Sequence, residues 1–132
     1  MTKYKFAAAL ILFANSAAAH ELTPTYPEIE PAYVEGVSVI KMKMWNRRSD
    51  ASYYEVNVYD DEWKSVPFAT PEKVMKLGYL EHKSFELYIR DADCDKVTYI
   101  CTTSKQLKQD VQSTGIKSRI CSRVKWDDIW EY

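Results

Sequence analysis

Three runs of alternating apolar and polar residues decide the fold of this chain: VSVIKMKMW at positions 37–45, YYEVNVY at 53–59 and SFELYIR at 84–90. In the first run, Ile40, Met42 and Met44 fall on one side of an extended chain, and the intervening lysines fall on the other. A period of two is typical of a β-strand with one buried and one solvated face. The runs therefore predict three half-buried strands within Val37–Arg90, a stretch without any catalytic motif.

The first nineteen residues have the pattern of a secretory signal peptide. Lys3 and Lys5 precede an apolar run from Phe6 to Ala14, and the small residues Ala17–Ala19 provide a cleavage site. This run is too short to span a bilayer, and no later stretch is long and apolar enough to do so. We therefore expect a signal peptide at 1–19 and one mature domain at 20–132, periplasmic or secreted, with no membrane insertion after cleavage.

Charge and motif content exclude several classes of function. Without Lys3 and Lys5, the 18 basic residues fall to 16 against 19 acidic ones, a net charge of about −3 with neutral histidines. The basic residues alternate with apolar ones instead of forming one basic face, which argues against nucleic-acid binding. The sequence contains no Ser-His-Asp pattern, no glycine-rich phosphate loop and no supported Cys–His pair, so we do not expect an enzyme.

Three cysteines are expected in an oxidising compartment, where disulfides persist. Cys101 and Cys121 fall in the last two predicted strands, and adjacent antiparallel strands would bring them together. A bridge closing about 20 residues would contribute on the order of 3 kcal/mol. Cys94, in an acidic turn-like segment, is then the odd thiol. Cys94–Cys101 is the competing pairing, which the sequence leaves open.

The rest of the chain reads as short β-forming stretches separated by turn signals. The segment from His20 to Gly36 contains Pro24, Pro27 and Pro31, and because proline removes ladder donors we expect an edge strand in short pieces. About seven strands without a helix of ordinary length predict an all-β antiparallel immunoglobulin-like sandwich in one domain. The further strands are predicted at 63–68, 73–77, 97–103 and 116–126, with a turn at 91–95 and one or two helical turns within 104–114.

The order of these segments resembles the N-terminal immunoglobulin-like domain of the PapD-like periplasmic pilus chaperones. The resemblance implies a PapD-type β-sandwich that binds protein by adding a partner's strand to an exposed sheet edge. The matching segments are Val37–Asn46, Tyr53–Trp63, PFATP at 67–71, Phe85–Arg90, Val97–Thr103 and the last strand at 114–125.

Two features depart from that family's pattern. Those chaperones continue into a second domain after the last strand, whereas this sequence stops at Tyr132. They also hold a subunit's terminal carboxylate with an arginine in the first strand and a lysine in the last. Here the segment 20–33 has neither basic residue, and Cys121 occupies the best-aligned position of the last strand. The chain also resembles short, signal-bearing proteins of marine phages, which implies a phage or envelope structural component as another interpretation.

The leading functional interpretation is an exported, non-enzymatic domain that binds protein. Its most open edge is expected at the final strand, with Ile116, Ile120 and Val124, or at the proline-broken first strand. Exposed aromatic residues also mark recognition surfaces, although they equally form cross-strand pairs that cover a sheet. Ten tyrosines and four tryptophans are many for this length, so an aromatic face is the second way to hold a partner. The aromatic residues predicted on solvated faces or in the tail are Tyr53, Tyr59, Tyr88, Trp126 and Trp130.

A small copper-binding protein is the alternative from a different class. A histidine at a mature N-terminus chelates copper through its amine and ring nitrogen, and His20 would hold that position, with His82 as the second imidazole. No other cofactor is expected. The spacing Asp91-x-Asp93-x-Asp95 resembles the start of a calcium loop, but the glycine and glutamate that such a loop needs further on are absent. We therefore interpret it as a solvated turn.

Overall fold

A computed structural model describes residues 19–106 and 117–124, which form two antiparallel β-sheets packed face to face. This architecture confirms the predicted immunoglobulin-like sandwich. A single 3₁₀ helix, Asp91–Lys96, follows the sixth strand in the described part of the chain. The strands are β1 Glu21–Thr23, β2 Glu30–Pro31, β3 Val37–Trp45, β4 Tyr53–Tyr59, β5 Val74–Lys76, β6 His82–Arg90, β7 Tyr99–Lys105 and β8 Arg119–Arg123.

The first sheet is built around β3. Its whole length pairs with β6, from Val37 opposite Arg90 to Trp45 opposite His82. On its other side, β1 pairs with the end of β3 and β2 pairs with its beginning. The first segment therefore is an edge strand in two short pieces, as the prolines predicted. An isolated bridge between Ala69 and Tyr88 borders β6 on its far side.

The second sheet has the order β5-β4-β7-β8. β4 pairs with β7 from Tyr53 opposite Lys105 to Tyr59 opposite Tyr99. β7 pairs in turn with β8, and this register places Cys101 directly opposite Cys121. The two sulfurs are bonded, so the predicted disulfide is confirmed and Cys94 is the free thiol.

Alternation along the strands builds the core between the sheets. Ile40, Met42 and Met44 of β3 are buried while Lys41 and Lys43 are exposed, as the period of two predicted. Because successive side chains of a strand point to opposite faces, hydrophobic residues line one face of each sheet and polar residues line the other. The fully buried side chains that meet from the two sheets include Leu87, Ile89, Tyr54, Val56, Met75, Ile100 and Val124.

Two segments differ from the sequence-based prediction. The stretch 63–68 is not a continuous strand, since it contributes only an isolated bridge between Ser65 and Tyr59. Trp63 has a φ of 63°, in the left-handed region that β-structure does not use, and Pro67 lacks a ladder donor. The segment 91–95 forms the 3₁₀ helix instead of a simple turn. The helical turn predicted within 104–114 lies mostly outside the described residues, and Ser104 and Lys105 belong to β7.

Candidate functional site

β8 forms an edge of the second sheet, and its geometry decides which backbone groups are open. Ser118 accepts a hydrogen bond from Ser104, and Val124 donates one to Thr98, so both point toward the β7 side. Because direction alternates along an antiparallel strand, the N–H and C=O groups of Arg119 and Cys121 point the opposite way. The short Cα–Cα distance of 4.1 Å between Cys101 and Cys121 is typical of a non-hydrogen-bonded pair and agrees with this assignment.

The part of this edge that no described strand pairs with runs through Arg119 and Cys121, although β1 packs against β8. At the next outward position, the N–H of Arg123 donates to the carbonyl of Thr25 at 2.9 Å, so the N-terminal segment occupies that end. Within residues 19–106 and 117–124, β7 is the one strand that pairs with β8. Unpaired backbone groups in a row are a template for another strand. We call the outward groups of Arg119 and Cys121 the open edge.

The hydrophobic residues predicted to make this contact face the core instead. Val124 is fully buried, and Ile120 is partly buried and packed against the core cluster. Even-numbered residues of β8 point inward because Cys121 faces outward with its disulfide partner. The phase relative to the cysteine pair would have revealed this in the sequence. Ile116 and Trp126 lie outside the described residues, and so does Trp130.

Side chains on the outer face of β8 are basic. Lys117, Arg119 and Arg123 are all exposed, and across the ladder Arg119 faces Thr103 while Arg123 faces Tyr99. In the described part of the chain, none of these three forms a salt bridge with a carboxylate. The ion pairs found there are Lys41–Glu30, Arg47–Glu21, Arg48–Asp50, Lys64–Glu62, Lys83–Glu72, Arg90–Asp93, Lys96–Asp93 and Lys105–Glu55.

An aromatic stack lies beside these basic side chains on the outer face of the second sheet. The ring of Trp63 lies parallel to that of Tyr99 with centroids 4.2 Å apart. The Arg119 guanidinium carbon lies 4.7 Å from the Trp63 ring centroid and 5.7 Å from that of Tyr59. Cation–π contacts at these distances hold an arginine in place without cancelling its charge. Tyr59 was a predicted surface aromatic, whereas Trp63 and Tyr99 were missed because their contact needs the left-handed turn at Trp63.

The other predicted aromatics do not join this stack. Tyr53 lies in β4 of the second sheet, with the Lys76 ammonium 6.0 Å from its ring centroid. Tyr88 lies in β6 of the first sheet and donates its hydroxyl hydrogen to Glu86. Both are half-buried and belong to different sheets, so the structure does not bring them together into one aromatic surface.

His20 is not placed as an N-terminal copper ligand would be. Only 1% of the residue is exposed, its Nδ1 lies 3.0 Å from Ser118 Oγ, and its Nε2 lies 2.8 Å from Thr102 Oγ1 and 2.9 Å from the Thr102 carbonyl oxygen. Burial lowers the pKa of the ring below its ordinary value. His82 lies on β6, across β3 from β1, so the two imidazoles are not brought together. His20 instead fastens the first segment to β7 and β8.

Beside His20, a buried polar cluster closes one end of the sandwich. Arg48 is 6% exposed, and its Nη1 donates to Ser104 Oγ and Ser118 Oγ at 3.2 Å each. Its Nε and Nη2 donate to the two carboxylate oxygens of Asp50, and these hydrogen bonds raise the pKa of the guanidinium further. Arg48 thus stays charged and ties the turn after β3 to β7 and to the residue preceding β8.

Asn46 organises the same turn through both ends of its amide. Its Nδ2 donates to the carbonyls of Ala51 and Leu77 at 2.8 and 2.9 Å. Its Oδ1 accepts from the Arg48 backbone N–H at 2.9 Å and from the Tyr54 hydroxyl at 2.6 Å. The side chain is fully buried, so these bonds replace solvent completely. The sequence pattern does not reveal this role of Asn46.

No group of three or more histidine, cysteine, aspartate or glutamate residues suited to a metal ion occurs among the residues that the structure describes. The acidic segment resembling a calcium loop is occupied by ion pairs, since Asp93 contacts Arg90 at 2.9 Å and Lys96 at 3.8 Å. Cys94 donates its thiol hydrogen to the Arg90 carbonyl, and burial raises the pKa of this thiol. The described helix is not long or apolar enough to cross a membrane.

Comparison with solved structures identifies a protein of similar architecture. The E. coli chaperone DraB is similar with a TM-score of 0.59 and 13% identity, over 80% of this chain and 53% of that chain. The fold is a PapD-type sandwich. This confirms the architecture implied by the sequence resemblance, and at this identity the likeness establishes the fold alone. The chain spans about half the length of DraB. The sequence matches no family model and no curated protein.

Proposed function

We propose that this chain is an exported, non-enzymatic domain that binds an extended segment of a partner protein at the open edge of β8, in the manner of a chaperone. The observation that carries the proposal is the outward backbone of Arg119 and Cys121, which has no strand partner among the described residues. Main-chain hydrogen bonds to an added strand would complete the ladder, since strand addition draws its affinity from them.

The fixed geometry of this edge supports the proposal. The disulfide to Cys101 ties the middle of β8 to β7, and the residue before β8 is held by His20 and Arg48 through Ser118. A prearranged edge loses little conformational entropy when a partner binds, which leaves more of the interaction energy for affinity. Export is supported by the signal-peptide pattern of residues 1–19 and by the disulfide, because structural disulfides persist in oxidising compartments.

A pair of substitutions at one position tests the edge. Arg119→Pro removes the outward N–H, whereas Arg119→Ala removes the same side chain and keeps that donor. Heptapeptides enriched on the wild-type protein from a random displayed library serve as probes. We expect the proline variant to lose at least about tenfold in affinity relative to the alanine variant. The reason is that the main-chain hydrogen bond donated at position 119 and the adjacent one in the new ladder are lost.

Equal binding by the two variants would contradict edge recognition. Because proline in a strand can also destabilise the fold, the melting temperature of each variant is measured first. Amide hydrogen exchange of the wild-type protein gives an independent readout. The Cys121 N–H should exchange more slowly when the enriched peptide is bound, and unchanged exchange at this position would count against the proposal. Detection of the mature N-terminus at His20 in a periplasmic fraction tests export.

A further inference from the structure

The outer side of the open edge carries a row of positive charge that its own sheet does not neutralise. Lys117, Arg119 and Arg123 lie on one face, with Cys121 between the two arginines, and the neighbours of Arg119 and Arg123 across the ladder are the neutral Thr103 and Tyr99. We call these three basic residues the basic row. Arg119 is held over Trp63, which fixes its position and leaves its charge intact.

The one acidic side chain in the described strands of that sheet is already engaged. Glu55 of β4 lies opposite Thr103 of β7, on the outer face, but its carboxylate contacts Lys105 Nζ at 2.6 Å. The hydrogen bond from Lys105 lowers the pKa of Glu55, as expected for a carboxylate that has found its counter-ion. The basic row therefore has no acidic partner in the described strands of its own sheet, and its charge can act on a strand that binds beside the edge.

Given the proposed function, the charge of the row selects among partner strands. Directly opposed side chains on one face of a sheet have Cβ atoms about 4.5–5.5 Å apart, so opposite charges attract and like charges repel across the new ladder. We propose that the partner is an acidic extended segment, with Asp or Glu at every second position facing the basic row. The intervening residues are apolar, because they adjoin the partly exposed Ile120 on the inner face.

A second copy of this chain does not fit this description. Antiparallel pairing of two β8 strands centred on Arg119 would set the two arginines directly opposite each other. Such like-charged pairs are destabilising, and basic side chains on an edge are a known protection against self-pairing. The same row that attracts an acidic strand therefore disfavours pairing with a copy of itself.

Three synthetic heptapeptides test the inference, and it rests on the proposed function. They share alternating valines and carry three glutamates, three serines or three lysines at the intervening positions. With the full-length mature chain in 50 mM NaCl, the glutamate peptide should bind at least about tenfold more tightly than the lysine peptide, with the serine peptide between them. The difference should shrink severalfold in 0.5 M NaCl, where the screening length is shorter.

Charge reversal localises the effect. Arg119→Glu should weaken the glutamate peptide about tenfold and strengthen the lysine peptide. Lys43→Glu makes the same change of net charge on the outer face of the first sheet and should alter neither. An equal effect of the two substitutions would overturn the inference, because general attraction to the protein would explain it.

The outcomes separate the two proposals. If all three peptides bind equally and slow exchange at the Cys121 amide, the edge binds strands and the acidic preference is refuted. If none of them binds and no displayed peptide is enriched either, strand addition and the acidic preference both fail.

Discussion

Replacing Asn46 by alanine should remove much of the stability of the domain. The side chain is fully buried and serves four buried groups: the carbonyls of Ala51 and Leu77, the N–H of Arg48 and the hydroxyl of Tyr54. A buried polar group that loses its partner costs about 1–3 kcal/mol. Because water can enter the vacated space and satisfy some of the four, we expect a loss of about 3–5 kcal/mol. That is a large part of the 5–15 kcal/mol typical of a domain.

Tyr54→Phe should cost much less, about 1 kcal/mol, because Asn46 Oδ1 keeps its bond from Arg48. Burial raises the pKa of Tyr54 to about 12, so its hydroxyl remains a donor at any working pH. In the double variant the tyrosine hydroxyl and its acceptor are removed together. The combined cost should therefore be no greater than that of Asn46→Ala alone, and clearly below the sum of the two single costs.

Urea unfolding followed by tryptophan fluorescence measures each free energy, with the disulfide kept oxidised and the m-value checked for constancy. The matched control is Asn57→Ala, since Asn57 lies on the outer face and its amide donates to Glu55 at 3.2 Å. Its cost should stay within about 0.5 kcal/mol. An Asn46→Ala cost below about 1 kcal/mol, or strict additivity with Tyr54→Phe, would refute the account of this turn.

Further predictions concern His20 and the cysteines. Because burial lowers the pKa of His20, the unfolded chain binds this proton more readily, and the free energy of unfolding should fall as pH drops below about 6.5, by at most about 1.4 kcal/mol per pH unit. Urea titrations from pH 7.5 to 5 should show that His20→Gln flattens this dependence and the exposed-site control His82→Gln does not; an unchanged slope in His20→Gln would contradict the assignment. Replacing Cys101 and Cys121 together by serine should cost about 3 kcal/mol for the loop of 20 residues, measured by urea unfolding, and a cost below about 1 kcal/mol would show that the bridge hardly restricts the unfolded chain. The raised pKa of Cys94 should make it react with a disulfide reagent at pH 8 more slowly than free cysteine does, with rates still rising at higher pH; a rate equal to that of free cysteine would contradict its shielding.

Local pattern was sufficient to predict the sheets. The alternation of Ile40, Met42 and Met44 with lysines places β3 correctly, and the prolines after His20 explain why the first edge strand is broken. The sequence also favoured the Cys101–Cys121 pairing, because residues in two adjacent antiparallel strands meet at one register, but it left Cys94–Cys101 open until the structure showed the bridge. These features depend on neighbours along the chain or on one ladder.

The site was harder to predict because it depends on contacts across the sandwich. His20 looked like a chelating N-terminal residue, yet its environment is made by Thr102 and Ser118, 82 and 98 residues away. The roles of Val124 and Ile120 depend on which face of β8 turns inward, which the run of β-forming residues does not show by itself and the phase of the cysteine pair does. The stack of Trp63 on Tyr99 depends on a left-handed residue outside any strand. For His20, Ile120 and Val124 the sequence pattern identified the residue but not its contacts, and for Trp63 and Tyr99 it identified neither.

The bond between His20 and Ser118 also sets the order in which the molecule can be finished. It joins the residue before β1 to the residue before β8, and the Thr25–Arg123 bond repeats that closure beside it. During synthesis or passage through a translocation channel, every residue up to Ser118 must emerge before the imidazole finds its acceptor. Contacts of such long sequence separation form late and slowly. Given the proposed export, this late closure would keep the first and last described segments apart until the chain has been delivered.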